Sequence, residues 1–99
     1  MPIKQADIQK QDHAFLVTGD INVTNVMSVY RKSLACLRQC PEWQFDFSQL
    51  QSTDSSGLAL IIEWIKYAKQ CRKPIRFTAL PQELLSIAKA AGLDNLIVR

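Results

Sequence analysis

"FDFSQLQSTDSSGLALIIEW", residues 45–64, decides how the rest of the chain is read. Trp43, Phe45 and Phe47 alternate with Gln44 and Asp46 as a half-buried strand requires, and from Ser55 onward the apolar residues recur at helical spacing. Between the two lie four small polar residues, Thr53-Asp54-Ser55-Ser56, and then Gly57. Two serines at the mouth of a helix can be a nucleophile, a phosphate site, a phosphorylation target or a cap.

A serine nucleophile requires a base to take its proton. The single histidine, His13, belongs to a different strand, and "TDSSG" is not the G-x-S-x-G elbow of hydrolases. No G-x-x-x-x-G-K phosphate loop is present either. No catalytic residue is assigned and no enzyme is expected. What remains is the positive end of a helix with unpartnered N–H groups, where Asp54 or Ser55 as a cap contributes about 1 kcal/mol. Ser55 is also a candidate contact or phosphorylation point, where a phosphate would add about −1.5 to −2 charges.

The helix runs from Ser55 to about Gln70. At about 100° per residue, Leu58, Ile61, Ile62, Ile65 and Ala68 form the stripe expected to face the sheet. Leu60, Trp64, Tyr67 and Cys71 form a second stripe, which either packs under a neighbouring helix or the N-terminal strand, or stays open for a partner. The aromatic residues favour the partner, so Leu60, Trp64 and Tyr67 are read as apolar contacts beside a polar edge of Asp54, Ser55 and Ser56.

Working outward, "HAFLVTGD" (13–20) reads as a strand ending in a Gly-Asp turn, with a weaker strand around Ile3 to Ile8 before it. Val26, Val29, Tyr30, Ser33, Leu37 and Cys40 mark a helix capped by Thr24 and ended by Pro41. After Pro74, "IRFTAL" alternates as a strand. Pro81 then fits the first turn of a last helix with the stripe Leu84, Ile87, Ala88 and Ala91, and Gly92 fits a left-handed C-terminal cap. "NLIV" is expected as a closing strand. The order ββαβαβαβ calls for a largely parallel sheet with one antiparallel pair at the start.

The chain has 99 residues, 47% of them hydrophobic and 21% charged, the balance of one globular domain. The apolar run "LALII" is far short of the roughly 20 residues that cross a bilayer. "MPIKQADIQKQD" lacks the apolar core of a secretion signal, which favours the cytoplasm. A net charge of +3 is spread along the chain without a basic block, a poor match to nucleic-acid binding. Cys36, Cys40 and Cys71 suit no zinc spacing, and buried or half-buried reduced thiols are expected.

These residues resemble the STAS domain family. "FLVTGDIN" is similar to its early strand and Gly-acidic turn, "FDFSQLQSTDSSGLALI" to its D-S/T-x-G-L-x-x-L signature, and "SIAKAAGLDNLIV" to its closing helix, glycine and strand. The resemblance covers almost the whole chain. It implies a single STAS domain over residues 1–99, an α/β fold with a mixed, mostly parallel sheet of about four to five strands and about three helices. It also implies a binding module without cofactor or metal.

Two branches of the family fit. The fuller resemblance, through the "GLALI" run, the Ala68-Lys69 pair and Ile87-Ala88-Lys89, is to the MlaB-like branch. That branch implies a cytoplasmic subunit, peripheral to the inner membrane, that docks on the MlaF-like ATPase subunit of a bacterial phospholipid ABC transporter. Through that subunit it meets the permease and serves outer-membrane lipid asymmetry, with no membrane insertion of its own. The Ser55-Ser56 pair is instead the spelling of the anti-sigma factor antagonists. There the first residue after the aspartate, here Ser55, is phosphorylated by a kinase-type anti-sigma factor.

Overall fold

A computed structural model describes residues 5–11, 14–93 and 95. Strands β1 (Asp7–Gln11) and β2 (Ala14–Ile21) precede α1 (Val26–Leu37), and β3 (Trp43–Thr53) leads into α2 (Ser55–Cys71). Strand β4 (Ile75–Thr78) and α3 (Gln82–Ala90) complete the described elements. The sheet order is β1-β2-β3-β4. β1 runs antiparallel to β2, with Ile8 opposite Val17, while β2, β3 and β4 are parallel. This is the expected α/β architecture; Leu96 to Arg99, which hold most of the expected closing strand, lie outside the described residues, as do Ile3 and His13.

Alternation drives the layering. Phe15, Val17 and Ile21 of β2 and Trp43, Phe45 and Phe47 of β3 are buried on one face of the sheet. Phe45 lies at the centre, with its ring centroid 5.6 Å from Phe15, 5.6 Å from Phe77 and 3.9 Å from Trp64 of α2. Helix α1 closes this layer with Val29, Ser33 and Leu37.

The helix α2 corrects the two-stripe reading. Leu60 and Trp64 are buried among the core residues, alongside Gly57, Leu58, Ile61 and Ala68. Leu60, Trp64, Ala68 and Ile61 fall within an arc of about 100°, so they form one face, and what looked like a second stripe is its centre. Trp64 stacks on Phe45, and its Nε1–H donates to the Ser33 hydroxyl at 2.8 Å. That hydroxyl donates in turn to the Tyr30 carbonyl at 2.6 Å, so each buried polar atom of this relay is satisfied. Tyr67 is half-buried and stacks on Trp43 at 5.3 Å. No partner reaches Leu60 or Trp64 in the folded chain.

Smaller corrections have separate causes. β1 begins near Asp7 because its ladder is set by β2. β3 continues through Ser48, Gln49 and Gln51, poor strand formers, because β2 pairs with it as far as Ile21 and Thr53, with register shifts on the way. Asn25, not Thr24, precedes the first turn of α1, because the Thr24 hydroxyl is held by Asn22. Pro81 stands one residue before α3. Gly92 has the expected positive φ of 72°, with Leu93 N–H returning to the Ala88 carbonyl at 2.8 Å. Of the thiols only Cys40 is buried; Cys36 and Cys71 are exposed, and all three are free.

One cation ties the far end of the layers together. The Trp43 indole N–H donates to the Leu37 carbonyl at 3.0 Å, and Lys73 Nζ reaches the Arg38 carbonyl at 3.2 Å while lying 5.6 Å from the Trp43 ring. The last turn of α1 thus ends on β3 and on the α2–β4 turn.

Trp64→Ala is expected to cost about 3–5 kcal/mol of unfolding free energy in urea titrations followed by circular dichroism. A loss below about 1 kcal/mol would be incompatible with its place over Phe45.

Candidate functional site

The C-terminal ends of the three parallel strands bring three connections to one edge of the sheet: β2–α1, β3–α2 and β4–α3. Open parallel sheets bind at this edge, because the helix N-termini there leave N–H groups without intrahelical partners.

The β3–α2 junction is a single residue, Asp54, whose own N–H donates to the Ile21 carbonyl at 3.3 Å. Its carboxylate Oδ1 accepts the Ser56 N–H at 2.7 Å, which makes Asp54 the N-cap of α2. Thr53 Oγ1 donates to the Asp54 carbonyl at 3.0 Å, and the Thr53 N–H donates to Glu83 Oε1 of α3 at 3.1 Å. Gly57 is needed here for space. A Cβ at that position would lie 2.2 Å from Thr53 Oγ1 and 3.2 Å from Thr53 Cβ.

Ser55 is exposed, and among the described residues its hydroxyl makes no hydrogen bond. Ser56 is half-buried. Ser55 does not border the Leu60 and Trp64 face, since the nine residues from Ser55 to Trp64 amount to about two and a half turns. The exposed residue one turn below Ser55 is Ala59.

A second polar cluster braces the junction from β2. Asp20 accepts the Ser52 hydroxyl on one carboxylate oxygen and the Asn22 amide, at 2.8 Å, on the other. The Ser52 hydroxyl first, and then the Asn22 amide, hold the Asp20 carboxyl below the ordinary carboxylate range. Asn25 Nδ2 donates to the Asp20 carbonyl at 2.8 Å and to Gln5 Oε1 at 3.1 Å. The Gly19-Asp20 turn was visible in the sequence. The partnership with Ser52, 32 residues on, and that of Thr53 with Glu83, 30 residues on, carry no local signal.

The edge thus joins Asp54, Ser55 and Ser56 of the motif and separates them from Leu60, Trp64 and Tyr67. It offers hydroxyls, carboxylates and a rigid backbone, and among the described residues no group of three or more His, Cys, Asp or Glu side chains is placed to hold a metal ion. A hollow of about 810 Å³ lies elsewhere, beside β4, lined by Ile65, Lys69, Ile75, Arg76 and Phe77. Among the described residues no helix is long and apolar enough to cross a membrane.

A family model described as "Mlab, STAS domain" matches residues 5–99. No curated protein matches the sequence at a significant level. Among solved structures, the anti-sigma factor antagonist SpoIIAA in its unphosphorylated form superposes with a TM-score of 0.71 at 13% identity, over 95% of this chain and 86% of its own. The Bacillus cell fate determinant SpoIIAA in its phosphorylated form gives 0.68 at 13% identity, over 95% and 89%. At that identity the likeness is one of fold.

Two outcomes are expected at this edge. Gly57→Ala should cost about 1–3 kcal/mol, and most of that loss should vanish in a Thr53→Ala background, measured as a double-mutant cycle by thermal or urea unfolding. Equal costs in both backgrounds would remove the Thr53 clash as the cause. The Asp20 carboxyl is depressed in the folded state, so its contribution is present above the unfolded carboxylate range, near about pH 4. It is lost as pH falls through the folded value. Asp20→Asn should therefore flatten the acid limb of a stability-against-pH profile; an unchanged acid limb would exclude Asp20 from that linkage.

Proposed function

Because the chain belongs to the STAS domain family, matching its MlaB-type model from residue 5 to 99, we propose that it is a docking subunit of a bacterial phospholipid ABC transporter. It binds the transporter's ATPase subunit, and through it the permease, and supports assembly or activity of the complex in maintaining outer-membrane lipid asymmetry. In this reading it works in the cytoplasm, peripheral to the inner membrane through its partner, and does no chemistry of its own. The observation that carries the reading is the family match.

The contact is proposed at Asp54, Ser55 and Ser56. Ser55 is exposed and among the described residues has no bond to break, while Asp54 and its cap hold the backbone around it in one geometry. Preorganisation of this kind lowers the ordering cost of association.

A second reading draws on the same residue. Ser55 follows Asp54 directly, its hydroxyl is accessible, and the fold is shared with SpoIIAA, an anti-sigma factor antagonist described in unphosphorylated and phosphorylated forms. In that reading the partner is a kinase-type anti-sigma factor and phosphate on Ser55 switches binding.

Affinity purification of the tagged chain at native level, with mass spectrometry of partners and of Ser55, separates the two. Recovery of an ABC ATPase with its permease and unmodified Ser55 supports the transporter subunit. A kinase-type partner with phosphate on Ser55 replaces it. Ser55→Tyr, which adds bulk without charge, should weaken binding to the ATPase subunit at least about tenfold with the melting temperature nearly unchanged. Binding at wild-type strength would place Ser55 outside the contact.

A further inference from the structure

Among the described residues two large apolar side chains stand exposed, Val23 at 75% and Met27 at 53%. Both belong to the edge that holds Ser55. Val23 follows Ile21 by two residues, and Ile21 is the residue whose carbonyl receives the Asp54 N–H. Met27 lies in the first turn of α1.

The turn that carries Val23 is ordered. Asn22 Oδ1 accepts the Thr24 N–H at 2.9 Å, Asn25 Oδ1 accepts the Asn22 N–H at 3.0 Å, and Asn25 Nδ2 fastens the turn to the Asp20 carbonyl. A β-branched apolar side chain is therefore held in water on a braced turn, where it contributes nothing to the core. Scattered apolar residues need no explanation, but these two stand at the same end of the sheet as the exposed Ser55, where the Asp54 N–H ties the start of α2 to Ile21.

Charge identifies what fits that surface. Residues 20–28, 49–59 and 77–86, the three connections with their flanking turns, contain Asp20, Asp54 and Glu83 and no Lys or Arg, in a chain of net charge +3. Asp7, in the adjoining strand, is already paired with Lys32. Among the described residues these three connections are thus negative on a positive molecule, and a partner of opposite local sign is favoured there both in encounter and in register.

Resting on the transporter reading, we infer that the ATPase subunit meets this edge through a segment that is both apolar and basic. Its apolar side chains pack on Val23 and Met27, and its Lys or Arg side chains face Asp54 and Glu83 around Ser55. The docking footprint spans the β2–α1 turn and the start of α2, and it excludes the Leu60 and Trp64 face.

The test is titration calorimetry of the purified chain with the purified ATPase subunit from the same cells. Affinity should fall at least about tenfold between about 50 mM and about 300 mM salt. Asp54→Asn, which keeps a capping side chain, should weaken binding and reduce that salt dependence. The double variant Val23→Ser/Met27→Ser should weaken it at least about tenfold, with an unchanged melting temperature because both side chains are exposed. Ser55→Asp should bind no more weakly than wild type at low salt. Salt-independent affinity, or a double variant within about twofold of wild type, overturns the inference while leaving the transporter reading intact. Absence of any binding by the wild-type chain overturns the transporter reading and the inference with it.

Discussion

The stack of Trp64 on Phe45 sets the rotation of α2, and the rest of the molecule is arranged around it. With ring centroids 3.9 Å apart and the indole N–H bonded to Ser33, the helix is held to the sheet by its aromatic face and to α1 by its polar atom. A rotation of one residue, about 100°, would bury a charged residue such as Glu63 or Lys66 and expose the indole. The same constraint determines what faces outward. Ser55, half a turn out of phase with Trp64, is on the solvent side because Trp64 is on the core side.

The position of the edge follows from the strands. β3 gains two residues on β2 through its register shifts, yet Ile21 and Thr53 still end side by side, so the β2–α1 turn and the start of α2 arrive together. Asp54 then needs only one residue to turn from strand to helix. Its N–H is tied to β2 and its carboxylate to α2, and Glu83 ties Thr53 to α3. Three connections are thereby locked to one another by polar bonds at the rim, while apolar packing holds the layers below.

Alternation and helical period make the strands at Phe15 and Phe45, the three helices and the glycine cap at Gly92 readable from the residues alone. They report which face of an element is apolar, but not what covers it. For α2 this mattered, because a helix crossing both a sheet and another helix buries an arc much wider than one stripe, and Leu60 and Trp64 then pass for a second surface. The polar half of β3 was hidden for a related reason. Ser48, Gln49 and Gln51 have no preference for a strand, and their conformation comes from pairing with residues of β2. At the candidate edge Asp54, Ser55 and Ser56 were legible as a motif. Val23 and Met27 were not, since exposure is a property of the fold.

Within the motif, the residues can be separated by what the fold asks of each. Asp54 caps the helix, Gly57 leaves room for Thr53, and Leu58 is buried. Ser56 supplies the backbone N–H that the cap requires and is half-buried. Any of these four can be accounted for by stability alone. The Ser55 side chain cannot: it is exposed, makes no bond among the described residues, and occupies the first helical position, where alanine or glutamate would serve the helix at least as well. A residue with no task in the fold, fixed in place by neighbours that have one, is what a recognition point on a rigid scaffold requires. The apolar turn beside it meets the same description, since Val23 is held by Asn22, Thr24 and Asn25 without entering the core. Both features lie where the three connections meet, so a partner that covers one is brought against the other.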